Sequence, residues 1–322
     1  MTFHTYEEML RYIIDNCHDW RANRTGIPDI GTAGLTFEHD MSQGFPLVTT
    51  KKMGMKNIAT ELEFFLKGIS DKKWLQDRKC NIWKQWANPE KTEVTFQAWL
   101  ADNPNATDEQ KNLTQNSVAD NERDLGAIYG WQWRHTGGKY EYNQARIDND
   151  PTDNYDHDNP GFDQVQNLID KLHNNPDDRR MIVSAWHPED IKKMALPPCH
   201  FAHQVIVRDK VLNLIWEQRS CDMFLGVPYN IASYALLLHL YAKQGGFKPG
   251  KLIGHLNDAH IYENHIEQVK EQLKRQPYPF PTLEIPDDNF KANGGLLGWS
   301  AEGGFILKDY ICHPTIKGEV AR

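Results

Sequence analysis

Between Met181 and Gly246 the chain carries three short strand-like runs followed at once by one long apolar segment, and this succession restricts the possible folds more than any other feature. The runs Met181 to Trp186, Gln204 to Val207 and Val211 to Trp216 are rich in β-branched, aliphatic and aromatic residues and read as strands. Asp209-Lys210, between the second and third, predicts a tight hairpin. Pro228 and Asn230 then open an apolar stretch that reaches Tyr241 and stops at Gly245-Gly246, the pattern of a buried helix. Strands joined partly by hairpins and covered by helices predict an α+β fold, a mixed sheet packed against helices.

The rest of the chain fits that frame. Met9, Tyr12, Ile13 and Ile14 have helical spacing within Tyr6 to Asp19. Short apolar pieces among Gly31, Gly34 and Gly44 suggest a strand or hairpin from Ile27 to Pro46, and a second helical pattern runs from Asn57 to Leu66 with Gly68 to end it. Two stretches, at about 89–124 and 137–159, are dominated by Asn, Asp, Glu, Gln and Thr and read as exposed polar insertions. Phe96, Trp99 and Leu100 give the first some helical character. With 322 residues, a single domain over 1–322 is expected, and 39% apolar content with ten Trp and thirteen Phe supplies a core.

Composition excludes several classes of function. The N-terminus lacks the basic start and apolar stretch of a secretory signal, and the longest apolar run, Ile231 to Ala242, is too short to span a bilayer, so a soluble cytoplasmic protein is expected. Five scattered cysteines without CxxC spacing indicate neither a disulfide framework nor a cysteine metal site. Fourteen His include His255, His260 and His265, whose spacing misses the helical i, i+4 metal pair, so no metal is expected. A net charge of −8 disfavours a nucleic-acid surface, while leaving room for a local anion pocket built from arginines.

Cys199, in Leu196-Pro197-Pro198-Cys199-His200, is the candidate nucleophile. A buried Cys taken singly is most often a small hydrophobe. Here two prolines restrict the backbone before it, and Arg179, Arg180 and Arg219 flank the same strand region, where cationic neighbours favour thiolate. Arg219 and Ser220 precede the apolar helix and suit a phosphate, with Arg24 as a further charge, although Arg179-Arg180 could equally be a solvated basic turn. Glu61 lies on an otherwise apolar helix, where burial would raise its pKa, but a solvated position would suit it and Glu63 alike.

Taken in order, these segments resemble the folate-dependent thymidylate synthases. The resemblance rests on Asn23-Arg24-Thr25-Gly26, Gly44 to Lys51, Ile82-Trp83 with Trp86, Asp124 to Gly126 through Tyr129-Gly130, and Arg179-Arg180 through Trp186. It continues with Met194 to His200, Gln218 to Asp222, Phe224 to Tyr234 and Asp258 to Tyr262. It implies conversion of dUMP and 5,10-methylenetetrahydrofolate to dTMP and dihydrofolate, with Cys199 adding to carbon 6 of uracil so that carbon 5 becomes the nucleophile. It further implies that Arg24, Arg219 and Ser220 bind the dUMP phosphate, joined by Arg179 and Arg180 from the second subunit of an obligate, sheet-mediated homodimer. Asn230 would read the uracil edge, His260 and Tyr262 the deoxyribose hydroxyl, and Gln218 and Asp222 would belong to the same substrate site. Glu61 would handle protons, Tyr129 would assist loss of the carbon 5 proton, and Trp83 would pack near the folate and the exocyclic methylene. Trp86 and Asp222 are the further folate-side residues, and Lys51 is assigned to the folate glutamate tail.

Asn257, Glu217 and the C-terminus depart from the family pattern, with Glu319 in place of a proline and Arg322 in place of an apolar last residue. Because that tail keeps water from the intermediate in family members, the nearest alternative is a dUMP hydroxymethylase of the same family, in which water replaces hydride. A Cys-His acyl-transfer hydrolase using His200 or His203 and an inactive nucleotide-binding relative are the more distant ones. Neighbouring residues on a strand face opposite ways, so Cys199 and His200 would make a poor ion pair.

Overall fold

A computed structural model describes residues 1–321, so the expectation attached to Arg322 lies outside the described residues. The strands are β1 (Thr2–Phe3), β2 (Asp29–Asp40), β3 (Ile182–Ser184), β4 (His200–Arg208), β5 (Val211–Gln218), β6 (Cys221–Asp222), β7 (Lys248–Tyr262), β8 (Thr282–Glu284) and β9 (Ile306–Lys308). The α-helices are α1 (Tyr6–Asn16), α2 (Met55–Leu66), α3 (Lys72–Asp77), α4 (Pro89–Asp102), α5 (Asp108–Asn121), α6 (Tyr129–His135), α7 (Gln144–Asn149), α8 (Gln164–Asn174), α9 (Gly226–Gly245), α10 (Ile266–Leu273) and α11 (Asp287–Ala292). They fall into two compact units: one of Met1–Ala59, Leu168–Ile182 and the chain from Cys199 onward, the other of Thr60–Asn167 and Val183–Pro198.

The first unit is built on a mixed sheet in the order β1-β2-β7-β5-β4, with β6 also on β7. β2 runs antiparallel to β7 from Asp29↔Tyr262 to Asp40↔Lys251, and β5 and β6 pair with β7 in parallel. The predicted hairpin joins β4 to β5, and Asp209 and Lys210 both adopt positive φ, 51° and 62°, as a two-residue turn matched to strand twist demands. The expected strand from Met181 to Trp186 is shorter, Ile182–Ser184.

α9 is twenty residues long and buried nearly all round, which is why it is apolar without a polar stripe. Pro228 sits in its first turn, and Gly246 ends it in the left-handed region at φ 72°, where its N–H caps the Ala242 carbonyl. β7 went unread in the sequence because Gly250, Gly254, Asn257 and Asp258 interrupt its alternation. Gly254 is required: it faces Trp216 in register, and a Cβ there would lie 2.2 Å from the indole ring.

In the second unit the first polar stretch forms a helical hairpin. Asn88 caps α4, and Thr107 with Gln110 forms a capping box on α5. Buried Lys72 fastens it, its Nζ donating to Ala119 O at 2.5 Å, Lys84 O at 2.7 Å and Trp86 O at 3.0 Å. The stretch 137–159 is less exposed than expected, since Ile147 and Asn154 are buried and Asn154 Nδ2 donates to Gly68 O at 2.8 Å and Ser70 Oγ at 2.9 Å. Among the described residues no helix is long and apolar enough to cross a membrane.

Candidate active site

In the first unit the backbone joins Cys199 to Arg219: the Arg219 N–H donates to Cys199 O at 2.8 Å, where β4 and β5 pair through His200↔Gln218. Cys199 is half-buried at the start of β4. Gln218 is buried, and its Nε2 donates to Ser220 O at 3.1 Å and to Asn230 Oδ1 at 3.0 Å. The start of β4, the end of β5 and the first turns of α9 thus group Cys199, Gln218, Arg219, Ser220 and Asn230.

His260 and Tyr262 end β7, with His260 opposite Asp222 in register. Burial lowers the His260 pKa, but its bond to Asp258 and the charge of Asp222 outweigh that and raise it overall. Burial raises the Tyr262 pKa, with Asp222 and Asp29 adding to the shift and Arg24 opposing it; the Cys199 thiol acts on Tyr262 too, so Arg24 and Cys199 both lie within its electrostatic reach. Arg24 is exposed on a turn that Asn23 shapes, its Oδ1 accepting from Thr25 Oγ1 at 2.6 Å. Arg179 and Arg180 occupy an exposed turn after α8, where Arg180 Nε donates to Asp178 at 2.9 Å.

Asp222 Oδ1 accepts from the N–H groups of Phe224 and Leu225 at 3.0 and 3.1 Å. Lys51 is buried rather than extended: its Nζ donates to Phe224 O and sits 3.7 Å from the centre of the Phe224 ring. Burial lowers its pKa to about 7 against the pull of Asp222 and Glu7. A contact from Lys51 to a folate tail therefore requires its ammonium to leave these partners.

His200 Nδ1 lies 2.9 Å from Tyr234 Oη and His203 Nε2 3.1 Å from Tyr241 Oη. Burial depresses both pKa values to about 3, so neither imidazole is charged at neutral pH to stabilise a thiolate. A Cys-His hydrolase gains no support from this arrangement.

In the second unit α2 and the turn after Asn81 bring Glu61 and Trp83 together, the indole N–H donating to Glu61 Oε1 at 2.7 Å. Trp83 packs edge-on to Tyr129 with centroids 5.9 Å apart, and Tyr129 stacks on Phe65 at 4.9 Å. Burial raises the Glu61 pKa to about 7, with the Trp83 bond opposing it. A carboxyl poised there can both take and return a proton at neutral pH. Glu63 takes the other role: it is buried and paired with Lys67 at 2.6 Å. Trp86 is half-buried, with its carbonyl held by Lys72.

Two residues escaped the sequence reading. Trp216 read only as a strand aromatic, yet its Nε1–H donates to Gln218 Oε1 at 3.1 Å. His265 is buried 3.9 Å from Asp222 and its Nε2 lies 2.8 Å from Glu319 O, which ties down the C-terminal segment; only its place in a series of histidines marked it.

The first unit joins Cys199 to Arg219 by a backbone bond and links the Gln218 and Asn230 carboxamides; the second offers a buried carboxyl whose pKa is raised to about 7. The chain matches the family model for thymidylate synthase over residues 4–322 and so belongs to the thymidylate synthase family. It is 37% identical over 321 residues to the thymidylate synthase of Mycoplasma pneumoniae, covering 98% of this chain and 99% of that protein. It is 40% identical over 299 residues to a bifunctional dihydrofolate reductase-thymidylate synthase of Paramecium tetraurelia, covering 93% of this chain but 57% of that longer protein.

Proposed function

We propose that this protein is a methyltransferase that converts dUMP and 5,10-methylenetetrahydrofolate to dTMP and dihydrofolate. The observation that carries the reading is the Arg219 N–H bond to Cys199 O, which holds the nucleophile next to Arg219 and Ser220 while Gln218 holds Asn230. Arg24, Arg219 and Ser220 bind the phosphate, and His260 and Tyr262 the deoxyribose hydroxyl. The Asn230 carboxamide accepts from uracil N3–H and donates to O4. Asp222, oriented by the Phe224 and Leu225 N–H groups that donate to it, belongs to the same substrate site.

Cys199 thiolate adds to carbon 6, and the electron pair released at carbon 5 attacks the folate methylene carbon. Glu61 relays protons and Tyr129 assists removal of the carbon 5 proton. Tetrahydrofolate is then eliminated to leave an exocyclic methylene beside Trp83, and its hydride reduces that group to methyl as Cys199 departs, so the folate leaves as dihydrofolate. Trp86 and Asp222 are the folate-side contacts, with Lys51 reaching the tail once displaced from Phe224.

The working form is a homodimer in the cytoplasm, with Arg179 and Arg180 completing the partner's phosphate site. Its support is the half-exposed aliphatic face of the sheet, Ile206, Ile215 and Ile253, together with the exposure of the two arginines. The methyl product is favoured over hydroxymethyl by the docked C-terminal segment, in which Glu319 O is held by His265 although a proline is absent.

The test is incubation with dUMP and methylenetetrahydrofolate, with mass analysis of the nucleotide and absorbance of dihydrofolate. Methylated nucleotide with equimolar dihydrofolate is expected, and Cys199→Ala abolishes both. Hydroxymethyl product with tetrahydrofolate overturns the assignment, as does turnover that survives in Cys199→Ala.

A further inference from the structure

Asn230 can read a pyrimidine in two ways. With Oδ1 toward position 3 and Nδ2 toward position 4 it matches uracil, which offers N3–H and O4; turned by 180° about its last bond it matches cytosine, which offers N3 and an amino group. An asparagine free to turn would accept both bases. Something must hold the amide one way round.

Gln218 supplies that constraint, since its Nε2 donates to Asn230 Oδ1 at 3.0 Å and to Ser220 O at 3.1 Å. A turned Asn230 would place its own NH2 against this donor. Gln218 is itself a carboxamide, however, and needs a fixed reference. Two groups provide it from opposite sides: Ser220 O, which can only accept, holds Nε2, and the Trp216 indole N–H, a donor and never an acceptor, donates to Gln218 Oε1 at 3.1 Å. The ring is packed on every side: it is fully buried, stacked on Tyr234 at 5.3 Å and 9°, tilted against Phe37 at 6.1 Å and seated over Gly254, where no side chain would fit.

We infer that Trp216 is a positioning residue for base selection, its N–H fixing the sense of the Gln218 amide and through it the sense of the Asn230 amide that selects uracil over cytosine. The inference rests on the proposed role of Asn230 as the base reader. The three side chains form a one-way relay in which each amide oxygen faces a donor, its direction set by the indole N–H together with the Ser220 carbonyl. Removing the indole N–H leaves a buried carbonyl oxygen without its donor, so that only Ser220 O still holds the Gln218 amide, and the turned state in which Gln218 Oε1 draws the Asn230 NH2 toward it gains population.

The test is equilibrium binding of dUMP and of dCMP to the full-length protein, which does not depend on turnover. The ratio of the two dissociation constants is the readout. In Trp216→Phe, which keeps a ring over Gly254, the preference for dUMP should fall about tenfold, the equivalent of one unsatisfied buried hydrogen bond. Phe37→Leu disturbs the packing of the indole and leaves its N–H in place, so it should keep the preference. An unchanged ratio in folded Trp216→Phe, or an equal loss in Phe37→Leu, overturns the relay. If Trp216→Phe does not fold, Gln218→Met removes the middle member, and a retained preference there overturns it equally. Asn230→Asp separates the two levels of the claim: it should shift preference toward dCMP, and if it leaves the ratio unchanged the assignment of Asn230 itself has failed.

Discussion

A carboxyl that ionises near neutrality leaves a trace in stability as well as in catalysis. Burial raises Glu61 from 4.5 to about 7, so across that interval the folded protein holds a proton that the unfolded chain has released. Folding is then most favoured by this group below pH 4.5, and its contribution declines as pH rises to 7. Glu61→Gln carries no such proton, and its melting temperature should fall less than that of the parent between pH 5 and 7; parallel curves would reject the burial argument. Lys51 works in the opposite sense, because burial lowers it from 10.5 to about 7 and stability is regained above pH 7. These environments were partly legible. Glu61 stood out as a charge on an apolar helix, but the sequence could not say that its neighbour Glu63 is also buried, because that burial is offset by Lys67 four residues on. Lys51 is assigned to the folate tail by resemblance alone, and nothing in its flanking residues reveals the Phe224 carbonyl that holds it.

Elements whose own composition decides their state were readable, and those decided by neighbours were not. α9 declares itself through Pro228, an unbroken apolar run and Gly246, and the β4–β5 hairpin through two alternating runs about a two-residue turn. β7 does not, since its glycines look like breaks until Trp216 is seen to occupy the space over Gly254. The start of α6 depends on another close approach: a Cβ on Gly130 would lie 2.4 Å from Phe65 O. Gly130→Ala should force α6 away from α2 and disturb the stack of Tyr129 on Phe65, with a stability loss of about 1–3 kcal/mol in denaturant unfolding. A variant with parental stability would show that the two helices separate without cost.

For the whole molecule, assembly is the property that one chain cannot display. If Arg179 and Arg180 serve the partner's site, Cys199→Ala and Arg179→Ala/Arg180→Ala proteins are each inactive as homodimers yet complementary. Mixed in equal amounts and allowed to exchange subunits, half the dimers are hybrids with one intact site of two, and activity returns to about a quarter of the parent's. No recovery after demonstrated exchange would place the arginines in their own subunit's site or outside the site. The acidic net charge gives no hint of such a site, because an arginine pocket of the proposed kind would act over a few ångströms while the charge of −8 is spread over the whole chain. The division of the chain has a consequence for inheritance. Each compact unit is assembled from separated stretches, Thr60–Asn167 with Val183–Pro198 in one and the three flanking stretches in the other. Neither unit can pass between genes as a single cassette. A lone crossover anywhere within the chain would leave the first unit a hybrid of two parents, because that unit holds stretches on either side of the second, and one falling inside the second unit would make hybrids of both.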